Sequence, residues 1–208
     1  MGARAKIVAM QPNRFGIPAK EMTPRVRMAL AALEQKIEAL QARVEELSDL
    51  ADRDPLIPVL NRRAFLEALQ RTAAFVQRYG GDAAVIYIDL DAFKSINDNF
   101  GHSTGDAVLR HVGRVLLDSV RETDFVGRIG GDEFAVILAQ SNLEDAKRKA
   151  AKLQAAIAAS PCVHEGLEHI VGASFGVHPI AQSEDAEAAL ARADEAMYAN
   201  KKRERVKA

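Results

Sequence analysis

Helical and strand-like hydrophobic periods alternate from residue 54 to the end of the chain, and this alternation restricts the fold most. Apolar residues at helical spacing predict helices over 62–78, 104–120, 143–158 and 185–202. Runs rich in β-branched and apolar residues predict strands over 83–90, 124–129, 133–138 and 171–179. Strands interleaved with amphipathic helices predict a mixed α/β domain.

An uninterrupted heptad repeat precedes this domain. Thr23 is a good N-cap, Pro24 suits the first helical position, and Asp54-Pro55 is expected to end the helix. The a positions are Leu30, Ile37, Val44 and Ala51, and the d positions are Val26, Leu33, Leu40 and Leu47. β-Branched residues at a with leucine at d favour a parallel dimer. We therefore predict a poorly ordered leader over 1–22, a parallel dimeric coiled coil over 23–53 and a globular domain over 54–208, with a single docked amphipathic helix as the alternative to the coiled coil.

Charge and composition exclude several classes of protein. The chain has 28 Lys plus Arg against 29 Asp plus Glu, so it lacks the basic excess that nucleic-acid or anionic-membrane binding requires. The single cysteine, Cys162, has no partner for an internal disulfide, and residues 1–22 lack the apolar core of a secretion signal. No apolar run approaches the ~20 residues of a membrane helix. We expect a cytoplasmic protein without a nucleic-acid partner or a membrane segment.

Two acidic pairs lie at the ends of predicted strands. Asp89 and Asp91 are two positions apart and therefore share one face. Asp132-Glu133 follow Gly130-Gly131, which predict a two-residue hairpin turn with positive φ and close ligand access to the backbone. Such carboxylates suit a hard cation that carries phosphates, although either pair by itself is more typical of an ordinary capped or solvated turn.

The residues around these acids resemble the GGDEF domain of diguanylate cyclases. Residues 128–134 read RIGGDEF, an intact RxGGDEF motif. Further family motifs follow in order: DLDAFKSIND at 89–98, GHSTGD at 101–106, SFGV at 174–177 and ADEAMY at 193–198. The resemblance covers about residues 54–205. It implies a palm-like α/β nucleotide cyclase fold with a central mixed antiparallel sheet flanked by helices, and the condensation of two GTP into cyclic di-GMP with release of two pyrophosphates.

The resemblance also implies a metal-dependent site at the interface of two such domains. Asp89, Asp132 and the backbone carbonyl of Leu90 would hold two Mg²⁺ per half-site, with Mn²⁺ as an alternative. Asp132 or Glu133 would accept the proton of the ribose 3′-hydroxyl, and the residue types do not decide between them.

The substrate residues follow from the same motifs. Asn97 and Asp106 match positions that read the hydrogen-bonding edge of guanine. His102 matches a substrate-side position, or it is a turn histidine that packs its loop. The remaining matches lie near the phosphates: Phe93, Lys94, Gly130, Gly131, Lys201 and Arg205.

Arg121 and Asp124 form an RxxD sequence where the family carries an inhibitory site for its product. The resemblance therefore implies feedback inhibition by cyclic di-GMP. The second arginine of many relatives is matched here by Lys152, which cannot form a bidentate pair. Weaker inhibition than is usual in the family is expected.

The chain departs from the family pattern at two places. Ile57 and Pro58 replace Thr and Gly at the junction between the heptad helix and the domain, which puts signal coupling in doubt. Asn200 and Glu204 replace Ala and Gly beside Lys201 and Arg205, which makes the alignment of Arg205 the less secure of the two.

Three functions compete at this point. The first is an active diguanylate cyclase with GTP, cyclic di-GMP, a second copy of the chain and a regulatory protein as partners. The second is a catalytically silent domain that binds GTP or cyclic di-GMP and acts through protein contacts. The third is a coiled-coil scaffold, which leaves the coexistence of Asp89, Asp106, Asp132 and Glu133 unexplained.

Overall fold

The computed structural model describes residues 23–181 and 184–207, and the chain divides into two units at residues 51 and 52. Helix α1 (Pro24–Asp52) accounts for the described part of the first unit. Thr23 begins it as predicted, since the Val26 N–H donates to Thr23 Oγ1 at 3.3 Å. The predicted leader at 1–22 lies outside the described residues.

The described part of the second unit contains five helices and six strands. The helices are α2 (Arg62–Tyr79), α3 (Phe93–Phe100), α4 (His102–Ser119), α5 (Leu143–Ala158) and α6 (Ala186–Lys207). The strands are β1 (Ala83–Leu90), β2 (Phe125–Arg128), β3 (Glu133–Ala139), β4 (Cys162–His164), β5 (Leu167–His169) and β6 (Ala173–Pro179). No helix among these residues, or α1, is both long and apolar enough to cross a membrane.

Four of the strands form one antiparallel sheet in the order β2-β3-β1-β6. Central strand β1 is buried on both faces because helices cover the sheet on either side. Ile86 and Ile88 pack in the core shared with α4 and α5, whereas Val85 and Tyr87 pack in the core shared with α2 and α6. The α/β fold class inferred from the alternating periods is therefore confirmed.

The outer edge of β6 is covered by two amide side chains. Gln154 Nε2 donates to the Ala173 carbonyl at 3.1 Å, and Asn200 Nδ2 donates to the Phe175 carbonyl at 2.9 Å. An edge strand otherwise offers unpaired carbonyls to other chains. Asn200, a departure from the family pattern, thus has a structural role on this edge.

The turn between β2 and β3 differs from the prediction. Four residues, 129–132, connect the strands, and Gly130 and Gly131 are not among the glycines with positive φ. The Ile129 and Gly130 N–H groups both donate to the Glu133 carbonyl, at 2.8 and 3.3 Å. The predicted two-residue turn with positive φ was therefore wrong, because the chain closes on Glu133 with a wider loop.

Candidate active site

The sheet register brings the predicted acids together. Asp89 is directly opposite Glu133 on the neighbouring strand, although the two residues belong to different motifs. The Leu90 N–H donates to the Asp132 carbonyl at 3.1 Å, which joins the end of β1 to the loop before β3. The end of one strand and the start of the other thus hold Asp89, Asp132 and Glu133 in one place.

A lysine from the last helix lies against these carboxylates. Lys201 Nζ donates to Asp89 Oδ1 and lies 3.6 Å from Asp91 Oδ1. The Lys201 and Asp89 side chains are only 17% and 19% exposed. An ion pair this far from bulk water is screened weakly, so the ammonium balances much of the local negative charge.

Two further residues of this cluster were not predicted from the sequence. Tyr87 lies two residues before Asp89 on the same strand, and its hydroxyl forms a hydrogen bond with Glu133. Asp194 lies on α6 within the ADEAMY motif, which was recognised without a role being given to this residue. Strand alternation could have indicated Tyr87, whereas the approach of Asp194 depends on how α6 packs.

Burial and mutual repulsion shift the titration of these groups. Burial raises the pKa of Glu133, and the charges of Asp132, Asp194 and Asp89 raise it further, against the hydrogen bond from Tyr87. Burial also raises the pKa of Asp194, with Asp89 as the next cause. Burial and the charge of Glu133 raise the pKa of Tyr87, so its hydroxyl stays protonated and donates at neutral pH.

The donor set suits a hard cation but does not complete its coordination. Within the described residues, no three side chains among His, Cys, Asp and Glu form a group able to hold a metal ion. The Lys201 ammonium beside Asp89 nevertheless marks the place where positive charge is stabilised. Carboxylate and carbonyl oxygens are the ligands that Mg²⁺ prefers, and this ion commonly takes its remaining ligands from water and substrate phosphates.

The two glycines of the loop have different surroundings. A Cβ at Gly130 would overlap the Glu133 carboxylate, so this glycine allows that side chain to lie across the backbone. A Cβ at Gly131 would meet nothing within 4 Å. Gly131 therefore leaves exposed backbone that a phosphate or ribose can approach.

Residues predicted to contact the nucleotide lie on α3 and α4. The Asn97 side chain of α3 packs so closely on Gly105 of α4 that a Cβ there would overlap it, and Asp106 is the next residue of α4. Lys94 and His102 are exposed near the starts of their helices, whereas Phe93 is buried. Arg205 is in α6, but its side chain lies outside the described part of the chain.

The arginine of RxGGDEF links the loop to the start of the domain. Arg128 Nη2 donates to the Gly131 carbonyl at 2.7 Å, and Nη1 donates to Asp54 Oδ1 at 3.3 Å. Asp54 Oδ1 also accepts the Leu56 and Ile57 N–H groups, at 2.9 and 3.1 Å. The loop 129–132 and the junction therefore share one hydrogen-bonded network.

Ile57, a departure from the family at this junction, is a core residue. Its side chain is 2% exposed and fills the space over Gly113, where a Cβ would overlap it. Pro58 is exposed, and its carbonyl accepts a hydrogen bond from Arg53 Nη1 at 2.9 Å. The two substitutions thus keep the junction packed and hydrogen-bonded.

The RxxD residues line a separate cavity of about 380 Å³. Asp124 accepts the Arg121 N–H at 3.0 Å and the Ala139 N–H at 3.3 Å, which fixes the turn. Lys152, the predicted second cation, lines this cavity as well. Arg148 joins it one helical turn earlier on α5, so the chain provides a second guanidinium that the family alignment missed.

Comparisons with known proteins find related sequences and related structures. The family model for the diguanylate cyclase GGDEF domain matches residues 51–207. Diguanylate cyclase DgcP of Pseudomonas aeruginosa is 37% identical over 171 residues, which are 82% of this chain and 26% of that protein. The chain thus spans about a quarter of the length of this curated relative.

Solved structures of GGDEF proteins have the same fold. Diguanylate cyclase SiaD of Pseudomonas aeruginosa, in complex with its activator SiaC, matches with a TM-score of 0.75 at 30% identity, over 86% of this chain and 68% of that one. The coiled coil and GGDEF domain of DgcB from Caulobacter crescentus, in complex with c-di-GMP, matches with a TM-score of 0.76 at 27% identity, over 85% of this chain and 94% of that one.

Proposed function

The chain belongs to the GGDEF family of diguanylate cyclases, and we propose that it condenses two GTP into cyclic di-GMP with release of two pyrophosphates. The observation that carries this proposal is the convergence of Asp89, Asp132 and Glu133 beside the exposed backbone of Gly131. A degenerate domain would be expected to have lost acids or glycines of this loop, and all are present here.

The acids divide into metal-holding and proton-accepting roles. Asp89, Asp132 and the Leu90 carbonyl would hold two Mg²⁺, which neutralise the triphosphate and acidify the ribose 3′-hydroxyl. We propose that Glu133 accepts the proton of that hydroxyl, because burial raises the pKa of Glu133 and makes its carboxylate a stronger base. The 3′-oxygen then bonds to the α-phosphorus of the facing GTP while the bond from that phosphorus to pyrophosphate breaks.

The guanine base would bind between α3 and α4. The Asn97 amide donates and accepts hydrogen bonds, and the Asp106 carboxylate accepts from N1–H and N2–H of guanine. Asn97 packs on Gly105, the residue before Asp106, so the two groups come from one contact between α3 and α4. Adenine lacks this pair of donors, so selectivity for GTP over ATP follows.

Two such half-sites must face each other, and we propose that α1 brings them together as a parallel coiled coil. Leu33, Leu40 and Val44 of its apolar seam are exposed in the single chain, and Leu40 is 66% exposed. A parallel pair would bury this seam and hold two domains at high effective concentration. The coiled coil of the DgcB structure supports the same organisation, and the SiaD complex supports a regulatory protein partner.

We propose that cyclic di-GMP inhibits the enzyme through the cavity of Arg121 and Asp124. Guanidinium groups can form bidentate contacts with a guanine edge or a phosphate. Arg121 and Arg148 supply two of them, with Lys149 and Lys152 nearby. Arg148, which pairs with Asp145, is a second guanidinium at this cavity beside Lys152, on which the expectation of weaker inhibition rested.

Substitution of Arg121 by Ala is expected to relieve product inhibition and to raise the inhibitory concentration of cyclic di-GMP by about tenfold or more, since one charge-assisted contact is lost. Arg148→Ala should act in the same direction, whereas Arg78→Ala on α2 serves as a matched arginine control. Progress curves with added cyclic di-GMP measure the effect. Equal inhibition of the wild type and Arg121→Ala would contradict the assigned site.

The direct test of the function is incubation of the purified chain with GTP and Mg²⁺, followed by chromatography of the nucleotides. We expect a product that comigrates with cyclic di-GMP, two pyrophosphates per product, and no product in excess EDTA. Folded protein that binds GTP but forms no cyclic di-GMP with Mg²⁺ or Mn²⁺ would instead support the silent receptor.

A further inference from the structure

The second aspartate of the DLD motif has no assigned role, and its surroundings are unusually well defined. The Ser174 hydroxyl donates to Asp91 Oδ1 at 2.8 Å, and the Asp91 N–H donates to the Gly172 carbonyl at 2.8 Å. A Cβ on Gly172 would lie 3.1 Å from Asp91 Oδ2. The backbone just before β6 therefore packs against the other oxygen of this carboxylate and restricts its movement. The chain itself therefore holds Asp91 from two sides.

We propose that Asp91 is a positioning residue for Lys201: it keeps the ammonium at the edge of the metal site while Lys201 exchanges Asp89 for the triphosphate of GTP. Lys201 pairs with Asp89 and lies 3.6 Å from the same Asp91 oxygen to which the Ser174 hydroxyl donates. This inference rests on the proposed function, because it assumes that Asp89 holds metal when nucleotide is bound.

The exchange follows from competition between two positive charges for one carboxylate. Lys201 and a divalent cation would both use Asp89, so each weakens the binding of the other. When the metal takes Asp89, Asp91 is the carboxylate that remains beside the ammonium. The long, flexible lysine side chain can then contact the phosphates without leaving the site, because its pairing with Asp91 restricts the conformations that it adopts.

The proposal predicts opposite changes for metal and for nucleotide when Lys201 is replaced. Lys201→Met in the full chain is expected to raise the affinity for Mn²⁺ alone by about tenfold, because a competing unit charge is removed. The same variant should bind a GTP analogue with a non-cleavable α–β bridge about tenfold more weakly. Electron paramagnetic resonance of free Mn²⁺ and calorimetry of the analogue measure the two affinities separately.

Lys202→Met is the matched control, because Lys202 carries the same charge on the same helix but lies over the Tyr198 ring, 4.3 Å from its centre. It should change neither affinity by more than about twofold. Equal or weaker Mn²⁺ binding by Lys201→Met would overturn the exchange. If the wild type binds Mn²⁺ but no nucleotide analogue, the proposed function fails, while the Mn²⁺ comparison still decides whether Lys201 competes with metal.

A double-mutant cycle tests the role of Asp91. Asp91→Asn should weaken analogue binding by about fivefold in the wild type and by less than about twofold in Lys201→Met, because its effect acts through the lysine. Ser174→Ala, which releases Asp91 without changing charge, should cause a smaller loss in the same direction. Equal losses of analogue affinity in both backgrounds would contradict positioning.

Measurements in the Lys201→Met variant distinguish a metal-ligand role for Asp91 from the proposed positioning role. There, Asp91→Asn should change Mn²⁺ affinity by less than about threefold, whereas Asp89→Asn should lower it by about tenfold or more. Equal losses from the two substitutions would make Asp91 a metal ligand and overturn the proposal.

Discussion

Glu133→Gln is expected to lower cyclic di-GMP formation by about 100-fold or more at saturating GTP. The substitution keeps the size of the side chain and its place opposite Asp89 on the neighbouring strand, but it removes the carboxylate that would accept the 3′ proton. Burial and three nearby carboxylates raise the pKa of Glu133, which makes its carboxylate a stronger base than an exposed glutamate. Initial rates of product formation, measured by chromatography, provide the test.

The loss should appear in kcat rather than in the binding of substrate. Glu144→Gln on α5 is the matched control, since Glu144 is exposed and pairs with Lys147 one turn later. Its rate should stay within about twofold of the wild type. A Glu133→Gln variant with more than one-tenth of wild-type turnover would show that another group takes the proton. Asp132→Asn, which removes a proposed metal ligand, would then become the decisive comparison.

The sequence predicted those elements whose hydrophobic period is long enough to be unambiguous. The bounds of β1 and α5 agree with the prediction at every residue, because one is a continuous apolar run and the other a regular amphipathic helix. Helix α3 was missed because its eight residues are mostly polar. The β4–β5 hairpin was missed because two strands of three residues do not establish a period of two.

The candidate site could be predicted only where its residues belong to local motifs. Asp89, Asp132 and Glu133 could be named from their motifs, and the register of β1 and β3 brings them together. The contact of Lys201 with Asp89 joins residues 112 positions apart, so it depends on the packing of α6. Arg148 was missed for a related reason. The family motif points to Lys152 on α5, whereas the cavity is also lined by Arg148, one helical turn earlier.

Leu40→Asp in α1 is expected to lower specific activity by about 100-fold at low protein concentration, with recovery as the concentration increases. The charge would have to be buried in the seam of the proposed coiled coil, which strongly disfavours association. A coiled coil keeps two domains at an effective concentration near the millimolar range, so its loss makes the encounter of two half-sites limiting at micromolar enzyme. Rates over a wide range of enzyme concentrations, together with sedimentation analysis, measure both effects.

Ala42→Asp is the matched control for this prediction, because Ala42 is exposed and lies two residues away on the polar side of the same heptad. Both variants place Asp in the same helix, so helix propensity changes by nearly the same amount and only the position relative to the seam differs. Ala42→Asp should remain dimeric and active. If the activity of Leu40→Asp is proportional to its concentration and equal to that of the wild type, the two domains assemble without α1.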